Sequence, residues 1–128
     1  MPTPTNLKYS KTHEWVKFDG TSATVGITGH AQEALGDITF VELPKVGTDV
    51  KKSAACCVIE SVKAASDINA PVSGQVSEVN ESLETAPESV NKDPYGAGWI
   101  FKLSGVKAAD AAGLMDASAY DAFVEGEK

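Results

Sequence analysis

Val58-Ile59-Glu60-Ser61-Val62-Lys63-Ala64-Ala65-Ser66-Asp67 sets a single lysine between two strand-like runs. On the N-terminal side, Ala54, Ala55, Cys56, Cys57, Val58 and Ile59 form a continuous apolar run. On the C-terminal side, Ile68, Ala70, Val72, Gly74 and Val76 alternate with Asp67, Asn69, Ser73 and Gln75. Successive side chains of a strand point to opposite faces, so a short apolar run followed by period-two alternation reads as strand, turn, strand. Lys63 then lies at or beside a tight hairpin tip, the most exposed point such a motif offers. An ammonium on a flexible stem at that point suits chemical modification. A surface lysine with no role would show the same local pattern, so the rest of the chain has to decide.

Upstream, residues 15–18 and 23–27 flank Asp19-Gly20, the signal for a two-residue hairpin turn. Ala23, Val25 and Ile27 share one face of the second strand, and Thr24 and Gly26 the other. Thr28 is placed to cap a short helix over 29–35 that Gly36 stops. Residues 38–43 read as a strand closed by Pro44, and a brief strand is expected around Val50. The Lys63 hairpin runs on to about Val79. Thr85-Ala86-Pro87-Glu88 has capping-box form and predicts a single helical turn. Residues 94–98 read as loop and 99–103 as a last strand. The tail carries two helix candidates, 106–112 ended by Gly113 and 117–124 capped by Asp116. Ala119, Tyr120 and Phe123 recur there at helical spacing and are expected to pack back on the sheet. The pattern predicts one domain over 1–128, an all-β core with helical decoration, a flexible arm over 1–6 and a C-terminal helical segment over 106–128.

Bulk properties narrow the function classes. The 128 residues suffice for a real core without metals or disulfides. A net charge of −7 argues against a phosphate-binding basic face, and hence against nucleic acid as partner. No apolar run approaches membrane-spanning length. Cys56 and Cys57 are adjacent; strand neighbours point apart, so a mutual disulfide is poor geometry and buried core thiols are expected. No spaced metal-ligand cluster, nucleophile elbow or phosphate-cradling glycine loop is present, and no standalone enzyme is expected. Residues 1–6 lack a basic region followed by an apolar core, so no secretory signal is visible.

Several motifs in order resemble one family. Thr12-His13-Glu14-Trp15, Val25-Gly26-Ile27-Thr28, Ala31-Gln32-Glu33-Ala34-Leu35-Gly36-Asp37 and Phe40-Val41-Glu42-Leu43-Pro44 carry the N-terminal half of the match. Glu60-Ser61-Val62-Lys63-Ala64-Ala65-Ser66-Asp67, Ala70-Pro71-Val72-Ser73-Gly74, Val79-Asn80 and Asn91-Lys92-Asp93-Pro94-Tyr95-Gly96-Ala97-Gly98-Trp99 carry the rest. From about Tyr9 to Phe123 the chain resembles the glycine cleavage system H proteins, which are lipoyl carriers. The resemblance implies a barrel-sandwich hybrid, mainly β, with two small antiparallel sheets facing each other and Lys63 at a hairpin tip.

It further implies that Lys63 carries lipoate in amide linkage. The arm would shuttle an aminomethyl intermediate and reducing equivalents between glycine decarboxylase, aminomethyltransferase and dihydrolipoamide dehydrogenase, after loading by a lipoylating enzyme. Such a carrier is non-catalytic and is expected to be a monomer, cytoplasmic in a bacterium or in the mitochondrial matrix after loss of a transit peptide. Glu60 and Gly74 match positions around the modified lysine; Glu60 is read as aiding recognition by the lipoylating enzyme, and Gly74 as permitting a tight backbone bend. Glu14 and Asp67 are expected to face a cleft that shelters the loaded arm, with Thr12 or His13 adding a hydrogen bond. A lipoate relay or another lipoyl-dependent carrier keeps the same fold. A thiol protein acting through Cys56 and Cys57 is the rival of a different class.

Overall fold

The alternating pattern of residues 23–27 folds as predicted and sets the frame for the larger of two sheets. The computed structural model describes residues 3–127. Its strands are β1 (Lys8–Tyr9), β2 (Glu14–Asp19), β3 (Ser22–Ile27), β4 (Ile38–Glu42), β5 (Asp49–Val50), β6 (Ala55–Ser61), β7 (Ala65–Asn69), β8 (Gly74–Val79) and β9 (Phe101–Ser104). One sheet has six strands in the order β1-β2-β3-β9-β8-β5, and the other has three in the order β4-β6-β7. Every strand pairing is antiparallel. The expectation of a mainly β fold with two facing antiparallel sheets holds. The sheets are unequal in size, and they are not closed into a barrel.

One core joins them. Val16, Val25, Phe101 and Leu103 of the larger sheet pack in the same cluster as Val41, Ile59 and Ile68 of the smaller. The alternation that follows Lys63 feeds this core from both sides. Ile68, Ala70, Val72 and Val76 are all buried, yet Ile68 lies in β7 and Val76 in β8. The chain leaves one sheet and enters the other across Ala70-Pro71-Val72-Ser73, because proline cannot donate to a continuing ladder. The single long strand expected up to Val79 is therefore two strands.

Local signals fix the connections. Asp19 pairs with Ser22, so the first hairpin loop is Gly20-Thr21, one residue later than predicted, with Gly20 at φ 63°. The helix α1 (Gly29–Leu35) is capped by Thr28, whose Oγ1 accepts from Ala31 N, and ends at Gly36 with φ 81°. Thr85 does not start a helix. It closes a 3-10 turn over Glu81–Glu84, donating through Oγ1 to the Ser82 carbonyl, and α2 (Ser89–Lys92) follows. The first tail candidate is a 3-10 segment, Ala108–Gly113, and the second is α3 (Ala117–Glu127). Asp116 Oδ1 accepts from Ala119 N as its cap.

The outer face of the larger sheet is covered by a smaller cluster of Leu7, Tyr9, Trp15, Ala117 and Tyr120. Tyr9 and Tyr120 stack at 4.8 Å, which docks α3. Ala119 is exposed, contrary to expectation, while Tyr120 is buried and Phe123 packs against the cluster. Of the arm expected over 1–6, Met1 and Pro2 lie outside the described residues. Thr3 donates to Asp121 and the Pro4 carbonyl accepts from the Tyr9 hydroxyl.

Gly26 is the tightest point on this face. A Cβ there would stand 2.6 Å from the Trp15 indole. That ring is fixed by burial and by its Nε1 donating to the Pro94 carbonyl at 2.9 Å. Overpacking a fixed ring costs about 1–3 kcal/mol. Gly26→Ala should lower stability by that amount in urea unfolding; an unchanged midpoint would contradict this packing.

Candidate functional site

Lys63 stands in a turn of minimal length. Glu60 pairs with Ala65, and Ser61 N donates to the Ala64 carbonyl at 2.8 Å, leaving Val62 and Lys63 at the tip. The Ser61 hydroxyl stiffens the turn. Its oxygen accepts from Lys63 N and from Ala64 N, each at 3.2 Å, and its proton reaches the Ala64 carbonyl at 3.1 Å. A serine at the head of a turn satisfies donors that the tight bend leaves without backbone partners.

The tip is also tied to the body. Val62 N donates to the Asp37 carbonyl at 3.1 Å. The Lys63 stem lies against Gly36, where a Cβ would come within 3.3 Å of Lys63 Cε. Val62 and Phe40 are among the few large apolar side chains left exposed. Glu60 is exposed on β6, paired with Phe40 of β4, and its carbonyl accepts from the Thr39 hydroxyl.

Gly74 behaves differently from its expected role. Its φ lies outside the left-handed region, so no bend demands glycine. A Cβ there would stand 2.9 Å from the Ser104 carbonyl and 3.1 Å from Leu103 Cβ. Glycine at this position lets β8 approach β9 and the chain beyond it, in the sheet opposite the Lys63 hairpin.

Glu14 opens β2 and is almost fully buried, at 2% exposure. Its Oε1 accepts from the Ser10 hydroxyl at 2.6 Å and from the Thr12 hydroxyl. Its Oε2 accepts from Asn69 N at 3.2 Å, at the end of β7. Burial pushes this carboxyl above the ordinary carboxylate range, and the hydrogen bonds only partly oppose it. Ser10 and Thr12, the hydroxyl partners of Glu14, line a cleft of about 310 Å³ together with Lys11, Lys52, Asn69 and Pro71; Glu14 itself lies behind that wall.

Thus the structure brings Glu14 and Thr12 together. His13 turns away: at φ 71° its ring leaves the Glu14 side, and its Nδ1 hydrogen-bonds the Tyr120 hydroxyl at 2.7 Å. Tyr120 also meets Thr28 Oγ1 at 2.7 Å. Asp67 is exposed on β7 opposite Val58. It shares a strand face with Asn69 by period two, which sets it between Lys63 and the cleft.

The cysteines depart from the expected strand geometry. A bulge between Ala55 and Cys57 interrupts the alternation, and Cys56 and Cys57 both pack on the main core. Both are free thiols; Cys56 Sγ donates to the Ile68 carbonyl at 3.3 Å. The neighbouring Cys56 thiol and burial push the Cys57 thiol far up, away from the thiolate that nucleophilic chemistry needs.

Sequence reasoning missed Ser10 and Asn69, which complete the Glu14 site, and gave no role to Asn91. The signal for Ser10 was its place just ahead of the quoted Thr12-His13-Glu14-Trp15 motif. Asn69 acts through backbone N–H, which leaves no trace in residue type.

The chain matches the family model for the glycine cleavage H-protein over residues 7–127. It is 59% identical over 126 residues to the glycine cleavage system H protein of Cronobacter sakazakii, covering 97% of each chain. The H protein of Escherichia coli O7:K1 is 56% identical over 126 residues, again with 97% of each chain covered. Among solved structures, a glycine cleavage system H protein from Mycobacterium marinum superposes with a TM-score of 0.86 at 38% identity, covering 95% of this chain and 98% of that one.

The raised Glu14 carboxyl has a stability consequence. A carboxyl raised in the folded state favours folding below its unfolded value and penalises it as pH rises through the folded one. Wild type should therefore lose thermal stability relative to Glu14→Gln as pH climbs from the ordinary carboxylate range to neutrality. A difference in Tm that is flat with pH, or of opposite slope, would contradict the burial effect.

Proposed function

Because the chain belongs to the glycine cleavage H-protein family, we propose that it is the lipoyl carrier of that system, with Lys63 as the attachment point. The observation that carries this reading is an exposed lysine on a turn that its own Ser61 hydroxyl and the Asp37 carbonyl hold in place. The residues fit a covalent acyl group: the Lys63 side chain is exposed at the turn with its stem against Gly36, and amide formation needs no pocket at the root. Bound there, lipoate supplies a dithiolane that accepts a carbon unit and two electrons on a long rotatable arm. The chain supplies position and shelter, while the reaction chemistry belongs to the partners.

Those partners are glycine decarboxylase, aminomethyltransferase and dihydrolipoamide dehydrogenase, with a lipoylating enzyme acting first. Glu60 and the exposed Val62 and Phe40 flank the lysine that all of them must approach. The relatives named above are bacterial, which supports a cytoplasmic carrier. The thiol alternative is disfavoured by the core packing of Cys57, whose thiol the Cys56 neighbour and burial push up, away from thiolate.

The receiving site is the cleft beside Ser10 and Thr12. Asp67 lies about 13 Å from the tip along β7 and Asn69 about 20 Å, at ~3.3 Å per residue. A loaded arm folding back along β7 would pass Asp67 before it reaches the hydroxyls of Ser10 and Thr12. An ammonium group arriving there would meet the Ser10 and Thr12 hydroxyls and, behind them, the Glu14 carboxyl that they bond, beside Lys11 and Lys52. His13 takes no part in this site.

The test is the lifetime of the loaded arm. Lipoylated wild type, loaded with glycine by glycine decarboxylase, should hold the aminomethyl group severalfold longer than the doubly substituted Glu14→Ala, Asp67→Ala chain. Equal lifetimes would remove the cleft from the account. A wild type that takes no load would overturn the carrier reading itself.

A further inference from the structure

We infer that Asn91 is a positioning residue for Lys63, acting through the turn on which the lysine rests. The inference rests on the reading that Lys63 accepts an acyl group. In that step the Lys63 amine forms a C–N bond to the carbonyl carbon of an activated lipoyl donor. The leaving group departs with its bonding pair, and the amine proton passes to solvent.

Asn91 sits on α2, far from Lys63 in sequence and half-buried. Its amide spans the connection between α1 and β4. Nδ2 donates to the Gly36 carbonyl at 2.8 Å and to Gln32 Oε1 at 3.0 Å, while Oδ1 accepts from Ile38 N at 2.8 Å. Both donors of the amide are therefore used, and both ends of the Gly36-Asp37-Ile38 turn are held by one side chain.

That turn is the seat of the hairpin tip. The Lys63 stem lies over Gly36, the Val62 amide donates to the Asp37 carbonyl, and Ile38 pairs with Ser61. Gly36 has φ 81° and ψ −156°, a backbone region that is essentially glycine's alone. Such a turn keeps its shape only when its surroundings over-determine it, and Asn91 supplies that. With the amide removed, the Ile38 N–H and the Gly36 carbonyl lose their partner, and the floor under Lys63 is free to shift. A small displacement of a reacting group costs rate even when binding is untouched.

Asn80 provides a matched control. It is buried, and its Nδ2 donates to the Ala97 and Trp99 carbonyls at 2.9 and 2.7 Å, while its Oδ1 accepts from the Ser82 hydroxyl at 2.6 Å. Its bonds are as many as those of Asn91, but none of them reaches the Lys63 turn. A merely structural role predicts that losing either amide has the same effect.

The experiment is steady-state lipoylation of the apo chain by an ATP-dependent lipoate ligase, well below the unfolding temperature, with hydrogen exchange read at the Val62 amide. Asn91→Ala should lower kcat about tenfold with KM within about twofold of wild type, and Val62 exchange should quicken while Ile59 stays protected. Asn80→Ala should lose comparable thermal stability yet keep wild-type kcat and Val62 exchange. Asn91→Asp keeps the acceptor for Ile38 and loses both donors. It should fall between wild type and Asn91→Ala, and it carries the test if the alanine variant does not fold. Equal losses of kcat in Asn91→Ala and Asn80→Ala, or an unimpaired Asn91→Ala beside normally lipoylated wild type, would overturn the inference alone. A wild type that takes no lipoyl group at Lys63 would overturn the carrier reading, and this inference with it.

Discussion

A buried carboxylate at the junction of the two sheets is the constraint on which the rest depends. Glu14 begins β2 in the larger sheet, and its second oxygen takes the Asn69 amide at the end of β7 in the smaller one. An ion removed from water costs several kcal/mol unless its lone pairs are satisfied. The Ser10 and Thr12 hydroxyls, with Asn69 N, offset part of that cost here. The base of the Lys63 hairpin is thereby fastened to the opposite sheet by a group that cannot be cheaply unpaired. The other end of the hairpin is fastened through Val62 to the Asp37 carbonyl. Lys63 is displayed on a strand pair gripped at base and tip, so a flexible arm attached there would swing from a fixed root.

Much of the fold was legible because its signals are local. Thr28 and Gly36 bracket α1 by cap chemistry, and Ala23, Val25 and Ile27 declare a buried face by period two. Where reading failed, the deciding contacts were distant. Thr85-Ala86-Pro87-Glu88 has capping-box form, yet the chain had already turned at Glu81–Glu84, so Thr85 closes a turn instead of opening a helix. Ala119 kept helical spacing with Tyr120 and Phe123, but docking is set by the Tyr9–Tyr120 stack, which leaves Ala119 outside. The strand-like run through Pro71 could not reveal that its halves belong to different sheets. β1 is too short to give a pattern at all.

The site was legible to the extent that it is made of side chains near Lys63 or within quoted motifs. Lys63 is exposed at the turn between β6 and β7, and Thr12 meets Glu14 at the start of β2. His13 was misplaced because a left-handed φ at a non-glycine residue leaves no mark in sequence, and that one angle sends the ring to Tyr120. Gly74 was read as a bend when its role is close packing against β9, since a lone glycine in a strand signals either. The bulge at Cys56 was invisible for the same reason: adjacent cysteines look like strand neighbours until the register slips.

Clamped at both ends, the hairpin gives a physical reason for a carrier to be a small, rigid protein with one long covalent arm. On the proposed reading, the body would fix where the arm starts, and the cleft beside Ser10 and Thr12 would give it a place to return. The most direct measurement is glycine-dependent turnover in a system rebuilt from glycine decarboxylase, aminomethyltransferase, dihydrolipoamide dehydrogenase and this chain after lipoylation. The account predicts full turnover with wild type and none above background with Lys63→Ala, which keeps the fold because the side chain is exposed. Sustained turnover with Lys63→Ala would contradict it.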